Sequence, residues 1–414
     1  MPLSYQKISY FLLPVMTLFL LTACSAIGED GAVSESNSSS ETGDGFIVLD
    51  DVYHTHAASI VIGQKNFSGS DSQETAANNV RTPYGNPTVV DGMLYLPDFG
   101  NNRVLGYNAV PANSGEWADF VVGQRNLTNS FSGSDEYQNN GIKTVTVAKG
   151  KLLVTDRGNS RILIYNRRPL FEPAKADVVV GQIDFGRSSP GLADNRLNLP
   201  ESLYVADDRL IVADSKNNRV LIWNTIPTAS GAAADIVLGQ MNFYNNTVID
   251  PPSAKSLNFP TAVWSNGTQL IVLDAGNNRI LIWSTFPTAD NQAADIVLGQ
   301  LYFTQNEANQ GGEPSESTLS FSADGGGLCS NGSQLFVSDS GNNRILIWNT
   351  IPTANDEKAS GLIGQDDYTL FGANRSTGIV TDKALSNPTG VYQFYNKLLV
   401  TDTGNNRYLI FESK

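Results

Sequence analysis

The chain has 414 residues, 41% hydrophobic and 16% charged, and its 27 Lys and Arg against 41 Asp and Glu give a formal net charge of −14. That acidic balance argues against nucleic acid as a partner, because phosphate binding needs a basic patch. Only Cys24 and Cys329 are present, so no internal disulfide framework is expected, and Cys329 in an apolar strand pattern reads as inert packing.

Residues 8–21 are mostly apolar and follow Lys7, the pattern of a secretory signal too short to span a bilayer. The run ends in Leu21-Thr22-Ala23-Cys24, which resembles the bacterial lipoprotein box. The resemblance implies cleavage before Cys24 and lipid on its thiol and new N-terminus. Ser25 after the cysteine resembles the outer-membrane sorting pattern of a Gram-negative cell. Loss of Lys7 with the signal brings the charge to −15 (−14 less one positive charge). Three parts follow: a signal over 1–23, a lipidated cysteine with a tether rich in Ser, Gly, Glu and Asp over 24–45, and a folded domain over 46–414. The expected location is extracytoplasmic, on a bacterial membrane.

Two phrases then recur six times each. Gly-Gln follows an apolar run at Gly63, Gly123, Gly181, Gly239, Gly299 and Gly364. Asp, a short turn and Arg occur as Asp98 to Arg103, Asp156 to Arg161, Asp214 to Arg219, Asp274 to Arg279, Asp339 to Arg344 and Asp402 to Arg407. The spacing is 58 to 65 residues, the sign of a stacked-repeat architecture. The first Gly-Gln has no Asp-turn-Arg before it, and the last Asp-turn-Arg has no Gly-Gln after it. A circle repairs this: the strand over 58–62 fills the vacant outer place beside the C-terminal strands, which also removes open edges.

The fourth repeat predicts four short strands, over 261–264, 270–273, 279–283 and 294–298. The middle two are apolar almost without alternation, as suits strands covered on both faces. In the turn, Asp accepts hydrogen bonds from turn N–H groups, Gly and Asn tolerate positive φ, and Arg pairs with a carboxylate on its own or the next blade. Six equal copies point to a structural need rather than to metal ligands.

Asn387-Pro388-Thr389-Gly390-Val391 and Leu399-Val400-Thr401-Asp402-Thr403-Gly404-Asn405-Asn406-Arg407 resemble the NHL repeat. The resemblance covers residues 58–414 and implies an all-β, six-bladed β-propeller of four-stranded antiparallel blades, closed by an N-terminal strand completing the last blade. The Pro-x-Gly-Val half is degraded: Asn86-Pro87-Thr88-Val89 in the first copy, Leu199-Pro200-Glu201-Ser202 in the third, and no Pro around Lys143 or Asp324.

The connections between blades are long, over 65–84, 125–142, 183–199, 241–259, 301–323 and 366–386, and loops on a rigid scaffold are where binding concentrates. The aromatic just after each Gly-Gln (Phe67, Phe185, Phe243, Phe303, Tyr368) reads as a loop anchor. Tyr84, Phe131, Tyr137, Tyr244 and Phe371 lie off that register and are the candidate ligand-binding residues, suited to a protein, peptide or glycan of the cell envelope. No cofactor is needed for that role, and a closed ring is expected to be monomeric.

Catalytic signals are thin. His54 and His56 precede the first strand, and the ring has no histidine, whereas propeller lyases of the NHL type rely on ring histidines. Six-bladed lactonases use acidic residues around a central metal. The alternative reading is therefore a calcium-dependent lactonase or hydrolase with Asp250, Glu313, Asp324 and Asp382 converging on the axis.

Overall fold

A computed structural model of the chain describes residues 56–413. The signal, Cys24 and the tether lie outside the described residues.

The apolar runs pair as expected, into six four-stranded antiparallel sheets. Blade I holds β2 (Thr88–Val90), β3 (Met93–Asp98), β4 (Arg103–Tyr107) and β5 (Phe120–Val122). Blade II holds β6 (Ile142–Ala148), β7 (Lys151–Asp156), β8 (Arg161–Tyr165) and β9 (Val178–Val180). Blade III holds β10 (Ser202–Ala206), β11 (Arg209–Asp214), β12 (Arg219–Trp223) and β13 (Ile236–Leu238). Blade IV holds β14 (Pro260–Ser265), β15 (Leu270–Asp274), β16 (Arg279–Trp283) and β17 (Ile296–Leu298). Blade V holds β18 (Leu328–Ser330), β19 (Leu335–Asp339), β20 (Arg344–Trp348) and β21 (Gly361–Ile363). Blade VI holds β22 (Pro388–Phe394), β23 (Lys397–Asp402), β24 (Arg407–Glu412) and, from the other end of the chain, β1 (Ile60–Ile62). β1 pairs with β24 in the register Ile60 to Ile410, Val61 to Leu409 and Ile62 to Tyr408. The ring is closed as the repeat phase required.

The middle strands are buried on both faces; every residue of β15 and β16 is inaccessible. Alternate residues of one strand belong to different cores. Ile271 and Leu273 pack toward blade V, and Leu270 and Val272 toward blade III. Each core is thus a seam between two blades, which is why the strands read as continuous apolar runs. The outer strands are shorter than the pattern suggests. Ala294 does not enter β17, because its N–H bonds to Ala254 O in the incoming connection.

The first strand of each blade is innermost and meets its neighbours around the axis. The tight Asp-turn-Arg hairpins and the long connections share one face. β24 runs away from that face, so Glu412 lies at the opposite end, and there His56 Nε2 sits 3.0 Å from Glu412 O. The chain therefore reaches β1 from the face opposite the long connections.

One register differs from expectation. In five blades the residue before the Pro-x-Gly position donates its N–H to the last Asn side chain of the preceding turn: Thr82 to Asn406, Gly141 to Asn102, Phe259 to Asn218, Phe321 to Asn278 and Asn387 to Asn343. The first-blade counterpart of Pro388-Thr389-Gly390 is therefore Pro83-Tyr84-Gly85, not Asn86-Pro87-Thr88-Val89.

Candidate binding face

Each letter of the repeated turn has a task. In the fourth copy, Asp274 Oδ1 accepts from Asn258 N at 2.7 Å, and its Oδ2 accepts from Asn277 Nδ2 at 2.8 Å and Arg279 Nε at 2.8 Å. The second Asn, Asn278, adopts φ 49° at the end of the 3-10 turn and donates to Asn306 O. Arg279 also donates to Ser253 O, Ser256 O and Phe303 O. One guanidinium thus ties the incoming connection of its blade to the outgoing one. All six Arg and all six Asp of the motif are fully buried. Burial pushes each Asp carboxyl upward against the pull of its Arg. The expected pairing is found within one blade; the link to the next blade is made by the Asn.

Gly-Gln is the second clamp. Gln240 Nε2 donates to Asn218 O and Thr247 O, and the same pair of bonds recurs at Gln64, Gln124, Gln300 and Gln365. The aromatic three residues after Gln anchors its loop: Phe185, Phe243, Phe303, Phe67 and Tyr368 pack against the seams, and Leu127 takes the place in the second copy. The connections are therefore fixed wedges between blades, with particular side chains left outside.

Three of the five expected recognition residues are among those left outside: Phe131 at 70%, Tyr244 at 68% and Phe371 at 51% exposure. Tyr137 is half-buried. Tyr84 is not on the rim at all. It is buried at the axis, edge-on to Phe99 at 4.8 Å, and burial beside the Asp324 carboxylate raises its phenol. The sequence reading missed Met241 (77% exposed) and Tyr302 (65%), with Ile183 and Leu301 also exposed. The signal was present: the residue after Gly-Gln is Ile183, Met241 and Leu301 in three consecutive copies, but Lys65, Arg125 and Asp366 in the other three. At that one position three consecutive connections are apolar and three are charged, although Phe131, Leu370, Phe371 and Ile379 are also exposed on the latter.

At the axis, the second position of the Pro-x-Gly segment carries Tyr84, Lys143 (after Ile142 in place of Pro), Glu201, Thr261 and Thr389, and an insertion in blade V brings Asp324 to the same ring. Lys143 Nζ lies 2.7 Å from Glu201 Oε2, 3.3 Å from Asp324 O and 3.9 Å from the Tyr84 ring centroid. Arg157 Nε pairs with the other Glu201 oxygen, and Asn387 Nδ2 donates to Asp324 Oδ2 at 2.9 Å. Blades II and V face each other across the ring, so this cluster closes the channel on the connection face. Beneath it remains an axial cavity of about 30 Å³ bounded by Thr144, Leu203, Trp264, Cys329 and Tyr392, which is room for a water rather than a substrate.

The proposed calcium ligands do not converge. Asp250 and Glu313 are exposed on connections, Asp382 gives its carbonyl to Ala58 N, and Asp324 serves the axial cluster. Among the described residues no group of three or more His, Cys, Asp or Glu side chains could hold a metal. The residues present do not fit a calcium centre.

Residues 197–223 match the NHL repeat. The matched stretch is the Pro200 segment together with the Asp214–Arg219 turn, the two halves whose geometry is given above. No curated protein matches the chain in sequence. Among solved structures it is similar to virginiamycin B lyase from Staphylococcus aureus, at 11% identity over 83% of this chain and 97% of that one, with a TM-score of 0.41. A streptogramin B lyase is similar at 12% identity over 83% and 96%, with a TM-score of 0.42. A computationally designed protein is similar at 8% identity over 89% and 100%, also at 0.42. Likeness at that level says nothing of what this ring binds.

Proposed function

We propose that this protein is a lipid-anchored, extracytoplasmic binding scaffold of the bacterial envelope, which takes a protein or peptide partner on its connection face. The observation that carries the reading is a run of exposed apolar side chains on three consecutive connections. Ile183, Met241, Tyr244, Leu301 and Tyr302 stand in solvent on three consecutive connections whose backbones are clamped. Exposed apolar and aromatic groups on a rigid frame favour association, because little ordering entropy is lost on binding. The axial cluster, with the small cavity below it, supports recognition on the rim over chemistry in the channel.

The test is capture of envelope proteins by residues 46–414. Met241→Ser with Tyr244→Ala and Tyr302→Ala should remove the partner, while Trp117→Ala with Phe171→Ala, exposed on third-to-fourth-strand connections, should retain it. Equal capture by both variants overturns the placement. Anchoring is tested separately by acyl-chain labelling of the full chain, which Cys24→Ser should abolish.

A further inference from the structure

The 3-10 turn after the second strand of each blade opens on a residue that the repeat does not fix. In three copies it is a buried hydroxyl. Ser215 Oγ donates to Pro260 O and Thr403 Oγ1 to Pro83 O, each on the opening segment of the next blade. Ser340 Oγ bonds Ser322 Oγ at 3.3 Å, in the insertion of its own blade. The fourth copy has Ala275, also buried, and the first has Phe99. None of these five residues is charged.

Blade II places Arg157 at that position. Its Nε donates to Glu201 Oε1, again on the opening segment of the next blade. Glu201 is 2% exposed, and its other oxygen takes Lys143 Nζ at 2.7 Å. A buried acid thus orients the guanidinium. The two terminal nitrogens of Arg157 have no partner among the described residues, and the side chain is a quarter exposed on the connection face.

The charges around Glu201 do not balance. One carboxylate serves two cations, Lys143 and Arg157. Asp324, the other acid of the axial cluster, turns its carboxylate to Asn387 Nδ2 at 2.9 Å and to the Tyr84 hydroxyl, and gives Lys143 only its backbone oxygen. A second carboxylate on Arg157 supplies the missing counter-charge. A doubly charged phosphate would overshoot it beside Glu201 and Asp324. The terminal pair of guanidinium nitrogens matches the two oxygens of a carboxylate. Because Glu201 already holds the group in place, little freedom is lost on binding.

We propose that Arg157 is the axial anchor for a carboxylate of the partner. The inference rests on the reading of the connection face as the binding surface, and it names a chemical group that the partner carries. A chain lying on Ile183, Met241 and Leu301 that reaches the axis meets Arg157 as the open cation of the cluster, since Lys143 is only 7% exposed.

The test uses residues 46–414, because the ring closes within the described part of the chain. Three probes are titrated at constant ionic strength. N-acetylglycine carries only a chain-terminal carboxylate, N-acetylglutamic acid α-amide only a side-chain carboxylate, and N-acetylglycinamide no charge. The reporters are the Arg157 Nε–H and Gly158 N–H signals in nitrogen-resolved NMR. At least one carboxylate should move both signals saturably in the millimolar range, the tighter of the two naming the source of the group, and the neutral amide should leave them in place. Arg157→Lys, which keeps the charge and loses the fork, should weaken binding at least tenfold, read at Gly158. Signals indifferent to both carboxylates overturn the inference, as do equal affinity in Arg157→Lys and tighter binding of inorganic phosphate. Met241→Ser with Tyr244→Ala and Tyr302→Ala should titrate as the parent does, so capture indifferent to the rim and signals indifferent to carboxylate are separate failures.

Discussion

Lys143 Nζ lies 2.7 Å from Glu201 Oε2, with the two side chains at 7% and 2% exposure, so blades II and III are joined by an ion pair almost out of water. Removing one partner of a buried pair strands the other charge and costs about 3–5 kcal/mol, while replacing both by apolar groups is often neutral. Glu201→Gln leaves both Lys143 and Arg157 without their carboxylate and should lower the urea midpoint clearly, Lys143→Met leaves Glu201 paired with Arg157 and should lower it less, and Lys143→Met with Glu201→Met should be milder than Glu201→Gln. Arg157, a quarter exposed, then turns to solvent. Single changes within about 0.5 kcal/mol of the parent would mean that the pair behaves as a surface bridge.

The Asp274–Arg279 pair is fully buried, and the guanidinium also holds three backbone carbonyls of two connections. Arg279→Met should destabilise by about 3–5 kcal/mol. Arg279→Lys should fail to rescue it, since an ammonium cannot reproduce the planar fork. Hydrogen exchange should rise in residues 241–259 and 301–305 of the variant. Unchanged exchange in both connections would contradict the clamp.

Gly85 and Gly92 both have positive φ, 66° and 75°, but different surroundings. A Cβ on Gly85 would sit 2.0 Å from Lys143 O, whereas one on Gly92 would meet nothing within 4 Å. Gly92→Ala should cost only about 1 kcal/mol of backbone strain. Gly85→Ala has to move the axial strands apart and should lower the thermal midpoint several times more. Equal effects would show that φ alone governs both positions.

Cys329 is buried in β18, and burial raises its thiol well above the ordinary range. The thiolate is the reactive form, so the folded protein should resist iodoacetamide at pH 8.5 and react once denatured. Prompt labelling of native protein would mean that the axial wall opens on that timescale.

Much of this architecture was legible in the chain. The phase offset between Gly63-Gln64 and the Asp402–Arg407 turn foretold the pairing of β1 with β24, because a ring missing one outer strand exposes an edge. The runs at 270–273 and 280–283 announced strands covered twice. The recognition surface was less legible. Tyr84 looked like a loop aromatic because the register of Pro83-Tyr84-Gly85 is set by the bond from Thr82 N to Asn406, 324 residues from Thr82. Met241 and Tyr302 sit next to anchored residues in sequence, and only the direction of each side chain separates them from Phe243 and Phe303.

By itself the sequence determined the number of blades, their four-strand make-up, the closure and the scaffold role of the repeated Asp, Asn, Arg and Gln. These are periodic properties, written once per blade, and the closure follows from the phase of the repeat at the two ends. Only the tertiary structure decided what meets at the axis and what stays in solvent. Lys143, Glu201, Tyr84 and Asp324 come from different repeats, and nothing in the spacing of one repeat records which side chain of another it will face.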